Sequence, residues 1–166
     1  MPLGSAETVS LAGMMGSGKS TVARELARLL GRRFVDTDAE VERLARRPVA
    51  AIFSERGEAA FRALERQVVC ALSGPLVVAL GGGAFCDPGN AGHLLHVGRV
   101  IFLDVSAGEA SRRLGDGGGR PLVRQWDALL RARLPLSRRA TLTVAVDGSS
   151  SDAVARRLAG LLGAAP

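Results

Sequence analysis

Thr8-Val-Ser-Leu-Ala-Gly-Met-Met-Gly-Ser-Gly-Lys-Ser-Thr21 is the stretch that decides the fold. Thr8 to Ala12 reads as a short buried strand, Gly13-Met-Met-Gly-Ser-Gly-Lys-Ser20 as a complete phosphate-binding loop, and Thr21 to Leu30 as an amphipathic helix. Each residue type in the loop has a physical task. Glycines let successive backbone N–H groups curl around phosphate oxygens, lysine brings a compact charge to the β and γ phosphates, and the Ser20 hydroxyl suits Mg²⁺. The positive end of the helix adds its own field at the same point. Lys19 is the only lysine in a chain otherwise supplied with arginine, and a planar guanidinium would replace it poorly.

At 166 residues and 47% hydrophobic, the chain can bury a core as one domain without disulfides or metal. Cys70 and Cys86 lack CxxC spacing and read as reduced thiols, Cys70 packed on a helix and Cys86 in a loop. The first residues have neither the basic start nor the apolar centre of a signal peptide, and no apolar run approaches membrane-spanning length. A cytoplasmic protein is expected. The net charge of +6 raises a nucleic-acid reading, but the arginines are spread along amphipathic segments, tyrosine is absent and aromatics make up 4%. No stacking platform is expected. The skew toward Ala, Gly, Arg and Leu looks like coding bias and explains much of the basicity; a positive cleft for small anionic substrates accounts for the rest.

Further along, strands and helices alternate. Arg33 to Val35 is a strand leading into Asp36-Thr37-Asp38; Asp38 to Arg46 and Val49 to Ser54 read as helices, the second with Pro48 at its start. Glu58 to Leu72 carries Phe61, Leu64, Val68 and Leu72 at helical spacing. Leu76 to Leu80 is an unbroken apolar run, as in a parallel strand covered on both faces, and stops at Gly81-Gly82-Gly83. Arg99 to Val105, a helix from an N-cap at Ser106 through Leu114, Leu142 to Val146 and Asp152 to Leu162 complete the pattern. The expected fold class is α/β: three layers around a central five-stranded parallel sheet, with the ligand beyond the carboxyl ends of the strands. Gly115-Asp-Gly-Gly-Gly119, followed by Arg120, suits either a surface loop or a hinged lid that brings a cation to a transferring phosphoryl group.

Gly-x-x-Gly-x-Gly-Lys-Ser-Thr21, Asp36-x-Asp38, Gly57-Glu-x-x-Phe61-Arg62-x-x-Glu65, Gly81-Gly-Gly83, Arg120-Pro-Leu and Arg133-x-Pro-Leu occur in the order and approximate spacing of shikimate kinase. The chain resembles that family over nearly its whole length. The resemblance implies a P-loop kinase fold in one domain, 1–166, with a substrate-binding helical region at about 36–64 and a lid at about 113–125. It implies ATP-dependent phosphorylation of shikimate to shikimate 3-phosphate, with Mg²⁺, on the route to chorismate and the aromatic amino acids, by a monomer needing neither nucleic acid nor membrane. The other readings open are a small-molecule kinase for gluconate or a nucleoside monophosphate, and a silent nucleotide-binding regulator.

Residue by residue, the resemblance puts ATP phosphates on the backbone of Gly16, Ser17, Gly18, Lys19, Ser20 and Thr21, and the metal on Ser20 and Asp36. Asp38 would hold a ring hydroxyl and take its proton. Arg62 and Arg133 would bind the shikimate carboxylate, and the Gly82 backbone a further hydroxyl. Phe53, Phe61 and Glu65 would shape the pocket, Arg113 would lie against adenine, and Arg120 would be the lid arginine. Two departures stand out: Ser137, where the family usually has tyrosine, and a shortened adenine loop, Asp147 to Asp152.

The residues' own chemistry leaves choices. Asp36 and Asp38 suit a helix-capping pair as well as a site, and as a site they are expected to stay ionised beside Mg²⁺ and arginines. Arg62 beside Phe61 suits a solvated helix face as well as a carboxylate clamp, with Glu65 within helical reach to orient it. His93 and His96 have no carboxylate or cysteine cluster to make them a metal pair. Trp126 reads as a packing anchor. No nucleophile elbow supports triad chemistry.

Overall fold

The computed structural model describes residues 2–115 and 138–163, with Ala128, Arg131 and Pro135 between them. Five strands form one parallel sheet in the order β2-β3-β1-β4-β5: β1 (Thr8–Gly13), β2 (Arg33–Asp36), β3 (Leu76–Ala79), β4 (Gly98–Asp104) and β5 (Leu142–Ala145). Every residue of β1 and β3 is buried, as helix-covered faces require. Val9, Leu11 and Val77 join the core formed with α1 (Lys19–Leu30) and the closing helix α6 (Ser151–Leu161). Ala12, Val78 and Val100 join the opposite core, with residues of α3 (Val49–Cys70) and α4 (Pro88–Val97).

The helices obey local signals. Ser106 accepts from the Glu109 N–H and starts α5 (Ala107–Leu114), and Ser150 accepts from Ala153 to start α6. The two helices expected at 49–54 and 58–72 run into one another as α3 and break at Gly57, whose φ of 77° and ψ of 174° no helical residue adopts. Sequence reading overlooked α4, although Asp87 caps it through the Asn90 N–H and Pro88 stands in its first turn; Gly89 and Gly92 dilute the helical pattern there. It also placed Cys86 in a loop, whereas the residue ends a 3₁₀ turn, Ala84–Cys86. Cys70 is exposed at the end of α3, beyond the buried face carrying Val68 and Val69, and not packed as expected.

Three carboxyl-terminal ends of strands matter most. β1 runs into the phosphate loop, β2 into α2 (Thr37–Ala45), and β3 into the glycine turn, so the three segments meet along one edge of the sheet. Among the described residues no helix is long and apolar enough to cross a membrane.

Candidate active site

The Lys19 ammonium lies over its own loop, donating to the carbonyls of Gly13 at 2.9 Å and Met14 at 3.0 Å. Ser20 donates its hydroxyl to Asp36 Oδ2 at 2.8 Å, while Asp36 Oδ1 accepts the Asp38 and Ala39 N–H groups at 3.0 and 3.3 Å. Capping and site geometry thus coexist in Asp36, one oxygen for each. An exposed hydroxyl paired with a carboxylate is the hard oxygen donor set that Mg²⁺ takes while keeping several waters.

From the loop a cleft of about 620 Å³ extends past Gly16, Gly18 and Thr21 to Arg113 and the turn at 148–151. Arg113 is bound into its wall. Its Nε donates to Glu109 at 2.9 Å, and its guanidinium reaches the carbonyls of Val146 at 3.0 Å and Ser149 at 3.2 Å, with longer contacts to Gly16 and Ser17 at 3.4 Å. Hydrogen bonds from Arg112, then from Arg113, hold the Glu109 carboxyl down to about 2.

On the other side of the loop, Asp38, Arg62 and Glu65 close on the glycine turn. A Cβ at Gly81 would lie 2.4 Å from Asp38 Oδ1 and 3.3 Å from Glu65 Oε1; one at Gly83 would lie 2.6 Å from the Arg62 guanidinium. A side chain at either position would have to displace one of these groups, a short carboxylate at Gly81 and the end of a long, flexible arginine at Gly83. Arg62 donates to Glu65 at 2.8 Å and stands 5.2 Å over the Phe61 ring, which packs against Phe53 at 4.6 Å. These contacts fix a guanidinium that is still 38% exposed, while Glu65 is 1% exposed.

Burial pushes the Asp38 carboxyl above the usual aspartate range, Asp36 and Glu42 add to the rise, and the charges of Lys19 and Arg62 oppose it. Removal from water is thus the first influence on this carboxyl, and the neighbouring cations offset it in part. Glu65 is also pushed up, by burial first, against the hydrogen bond from Arg62.

Of the other expected site residues, Gly82 lines a small recess with Ala12, Gly13, Gly81, Phe85 and Cys86. Arg120 and Arg133, with Trp126, Ser137 and most of the expected lid, lie outside the described residues. His93 contacts the Leu72 carbonyl at 3.0 Å, and among the described residues no group of three or more His, Cys, Asp or Glu could hold a metal. Sequence reading missed Thr37, whose buried hydroxyl oxygen accepts the Gly81 N–H, and Glu109, which holds Arg113; only the N-terminal position of each on its helix hinted at either.

A parallel sheet with a phosphate loop after its first strand, and a carboxylate and guanidinium on the glycine turn that ends the neighbouring strand, defines a P-loop kinase fold. Comparison makes the assignment narrower. The profile of the family described as shikimate kinase matches residues 15–162. Shikimate kinase of Synechococcus sp. (strain CC9902) is 44% identical, covering 95% of this chain and 87% of its own, and that of Thermobifida fusca (strain YX) is 45% identical, covering 93% and 94%. The structure of shikimate kinase from Acinetobacter baumannii in complex with shikimate superposes with a TM-score of 0.85 at 31% identity, covering 94% of this chain and 92% of that one. The chain belongs to the shikimate kinase family.

Proposed function

We propose that this protein transfers the γ-phosphoryl group of ATP to a ring hydroxyl of shikimate, releasing ADP and shikimate 3-phosphate. The observation that carries the reading is the meeting of Asp38 and Arg62 on the Gly81–Gly83 turn beside the phosphate loop. A raised, half-buried carboxylate suits proton acceptance, and a braced guanidinium suits bidentate carboxylate recognition. The shikimate hydroxyl oxygen forms the new bond to phosphorus, its proton passes to Asp38, and the bond from phosphorus to the β,γ-bridging oxygen breaks.

Backbone N–H groups of Gly16 to Thr21 hold the phosphates, and Lys19 neutralises charge on the β and γ groups. Ser20 and Asp36 would hold Mg²⁺, which would supply neutralisation of the phosphates' charge. Arg62 and Arg133 clamp the shikimate carboxylate, the Gly82 backbone meets a further hydroxyl, Arg113 frames the adenine side, and Arg120 comes from the lid. The helical region at about 36–64 binds the acceptor. The protein works as a cytoplasmic monomer on small molecules, without nucleic acid or membrane. The direct test is ADP release with shikimate, gluconate and nucleoside monophosphates offered separately. Release with shikimate alone is expected, and a preference for either other acceptor would contradict the reading.

Acceptor specificity rests on the clamp. Truncating one partner of a buried, hydrogen-bonded charge pair costs about 2–5 kcal/mol, roughly 30-fold to several thousandfold in affinity. Arg62→Ala and Arg133→Ala are each expected to weaken shikimate binding within that range while ATP affinity changes little. Lysine should rescue either site poorly. A neutral amide analogue of shikimate should bind the natural protein badly and lose most of its sensitivity to both substitutions; equal binding of acid and amide would remove the clamp.

The glycine turn gives a separate prediction. In Gly81→Ala the added methyl must displace the Asp38 carboxylate by about 1 Å to restore ordinary contact, because a short side chain at a helix start has little room to swing. Misplacement on that scale costs about 10²-fold in turnover. Gly83→Ala should cost less, since the end of the longer Arg62 side chain can move. Steady-state kinetics showing Gly83→Ala as the more damaging of the two would contradict this ranking.

A further inference from the structure

Asp36, Thr37 and Asp38 are consecutive, yet they point to three different partners. Asp36 meets Ser20 and its own helix, and Asp38 Oδ1 lies 2.4 Å from where a Gly81 Cβ would be. Thr37 is fully buried, and its hydroxyl oxygen accepts the Gly81 N–H at 2.8 Å. The backbone explains why this bond is made by a side chain. The β2–β3 register ends at Asp36 opposite Ala79, and Leu80 turns its N–H to the Leu11 carbonyl of β1. Thr37 therefore extends the joint between β2 and β3 beyond the last paired residues, where the chain has already become helix on one side and glycine turn on the other.

We infer that Thr37 is a positioning residue for phosphoryl transfer: its hydroxyl latches the N-terminus of α2 to the glycine turn and so sets the Asp38 carboxylate against the place where the acceptor hydroxyl binds. The inference rests on the shikimate kinase reading. Thr37 is fully buried, so it acts through Asp38 and Gly81. Valine matches threonine in shape but cannot accept the Gly81 N–H, so α2 keeps its packing while the latch opens. Serine retains the acceptor and loses only a methyl group.

The test compares Thr37→Val and Thr37→Ser with the natural full-length protein. Hydrogen exchange at the Gly81 amide, followed by NMR without ligands, is expected to accelerate by about tenfold or more in Thr37→Val and to stay near the natural rate in Thr37→Ser. Turnover should fall by about 10²-fold in the valine variant, with KM for ATP nearly unchanged and KM for shikimate raised, and serine should restore most of it. Thr37→Ala serves if the valine variant does not fold. Unchanged Gly81 exchange in the variant lacking the hydroxyl would overturn the latch. Faster exchange with undiminished turnover would overturn its positioning role. If the natural protein does not phosphorylate shikimate, the functional reading falls and the catalytic half of the inference with it, while the exchange data decide the latch alone.

Discussion

Lys19→Ala is expected to lower phosphoryl transfer by about 10³-fold or more, the scale on which enzymes lose rate when a cation facing a transferring phosphoryl group is removed. The ammonium is already fixed over the loop by the Gly13 and Met14 carbonyls, so its charge is in place before nucleotide arrives. Those same bonds give the substitution a second, smaller effect. Losing two half-buried hydrogen bonds costs about 1–3 kcal/mol, or a fall of several degrees in Tm for a domain of this size. The fold should persist, since the loop backbone and buried Ser17 remain. Arginine should not restore the rate, because the ammonium fits as a compact point and guanidinium as a wide plane. Single-turnover transfer beside a melting curve separates the effects: a folded variant with near-normal transfer would remove Lys19 from the chemistry.

Asp38→Asn should lower turnover by about 10²- to 10⁴-fold with ATP affinity nearly kept, because the amide preserves shape but cannot take a proton. Its stability should move the other way. The native carboxyl is raised above its ordinary value of 3.8 by burial first and by Asp36 next, so at neutral pH the fold carries a charge that the unfolded chain holds more comfortably. The stability linked to Asp38 is fully present below that ordinary value and is lost as pH rises through the folded one. In metal-free, nucleotide-free buffer the asparagine variant should therefore melt higher than the natural protein near pH 7, and the gap should close as pH falls toward 3.8. A lower Tm for the variant at pH 7 would show that Lys19 and Arg62 outweigh burial. Asp36→Asn should instead raise the Mg²⁺ requirement, and an exchange of the two phenotypes would reverse the assignment of the pair.

Much of this was legible in the sequence where independent local signals agreed. Thr8 to Ala12 was read as a strand and Thr8–Gly13 forms one; the loop and its helix followed because glycines, lysine and apolar spacing pointed the same way. Helix α4 escaped because its cap signal at Asp87-Pro88 preceded a stretch with two glycines and weak amphipathic contrast. In the site, residue types were readable but their balance was not. Whether Asp36 capped or faced the loop could not be chosen from spacing, and the structure shows each of its oxygens taking one task. The ionisation of Asp38 depends on burial under segments distant in the chain. Arg113, expected against adenine, makes contacts with Gly16, Ser17, Val146 and Ser149 that no local pattern encodes.

The crowding at the glycine turn limits how this scaffold can acquire new acceptors. Two of the turn's outward directions, at Gly81 and Gly83, are already filled from outside by Asp38 and Arg62, so added side chains there collide with the machinery before they can read a different molecule. Room for a change of side chain lies instead on α3, where Phe53 is 37% exposed and packs on Phe61, the ring beneath the Arg62 guanidinium. A library aimed at altered acceptor choice should leave 81–83 untouched and diversify position 53 and its neighbours, where changes in size reshape the wall while the reacting groups keep their places.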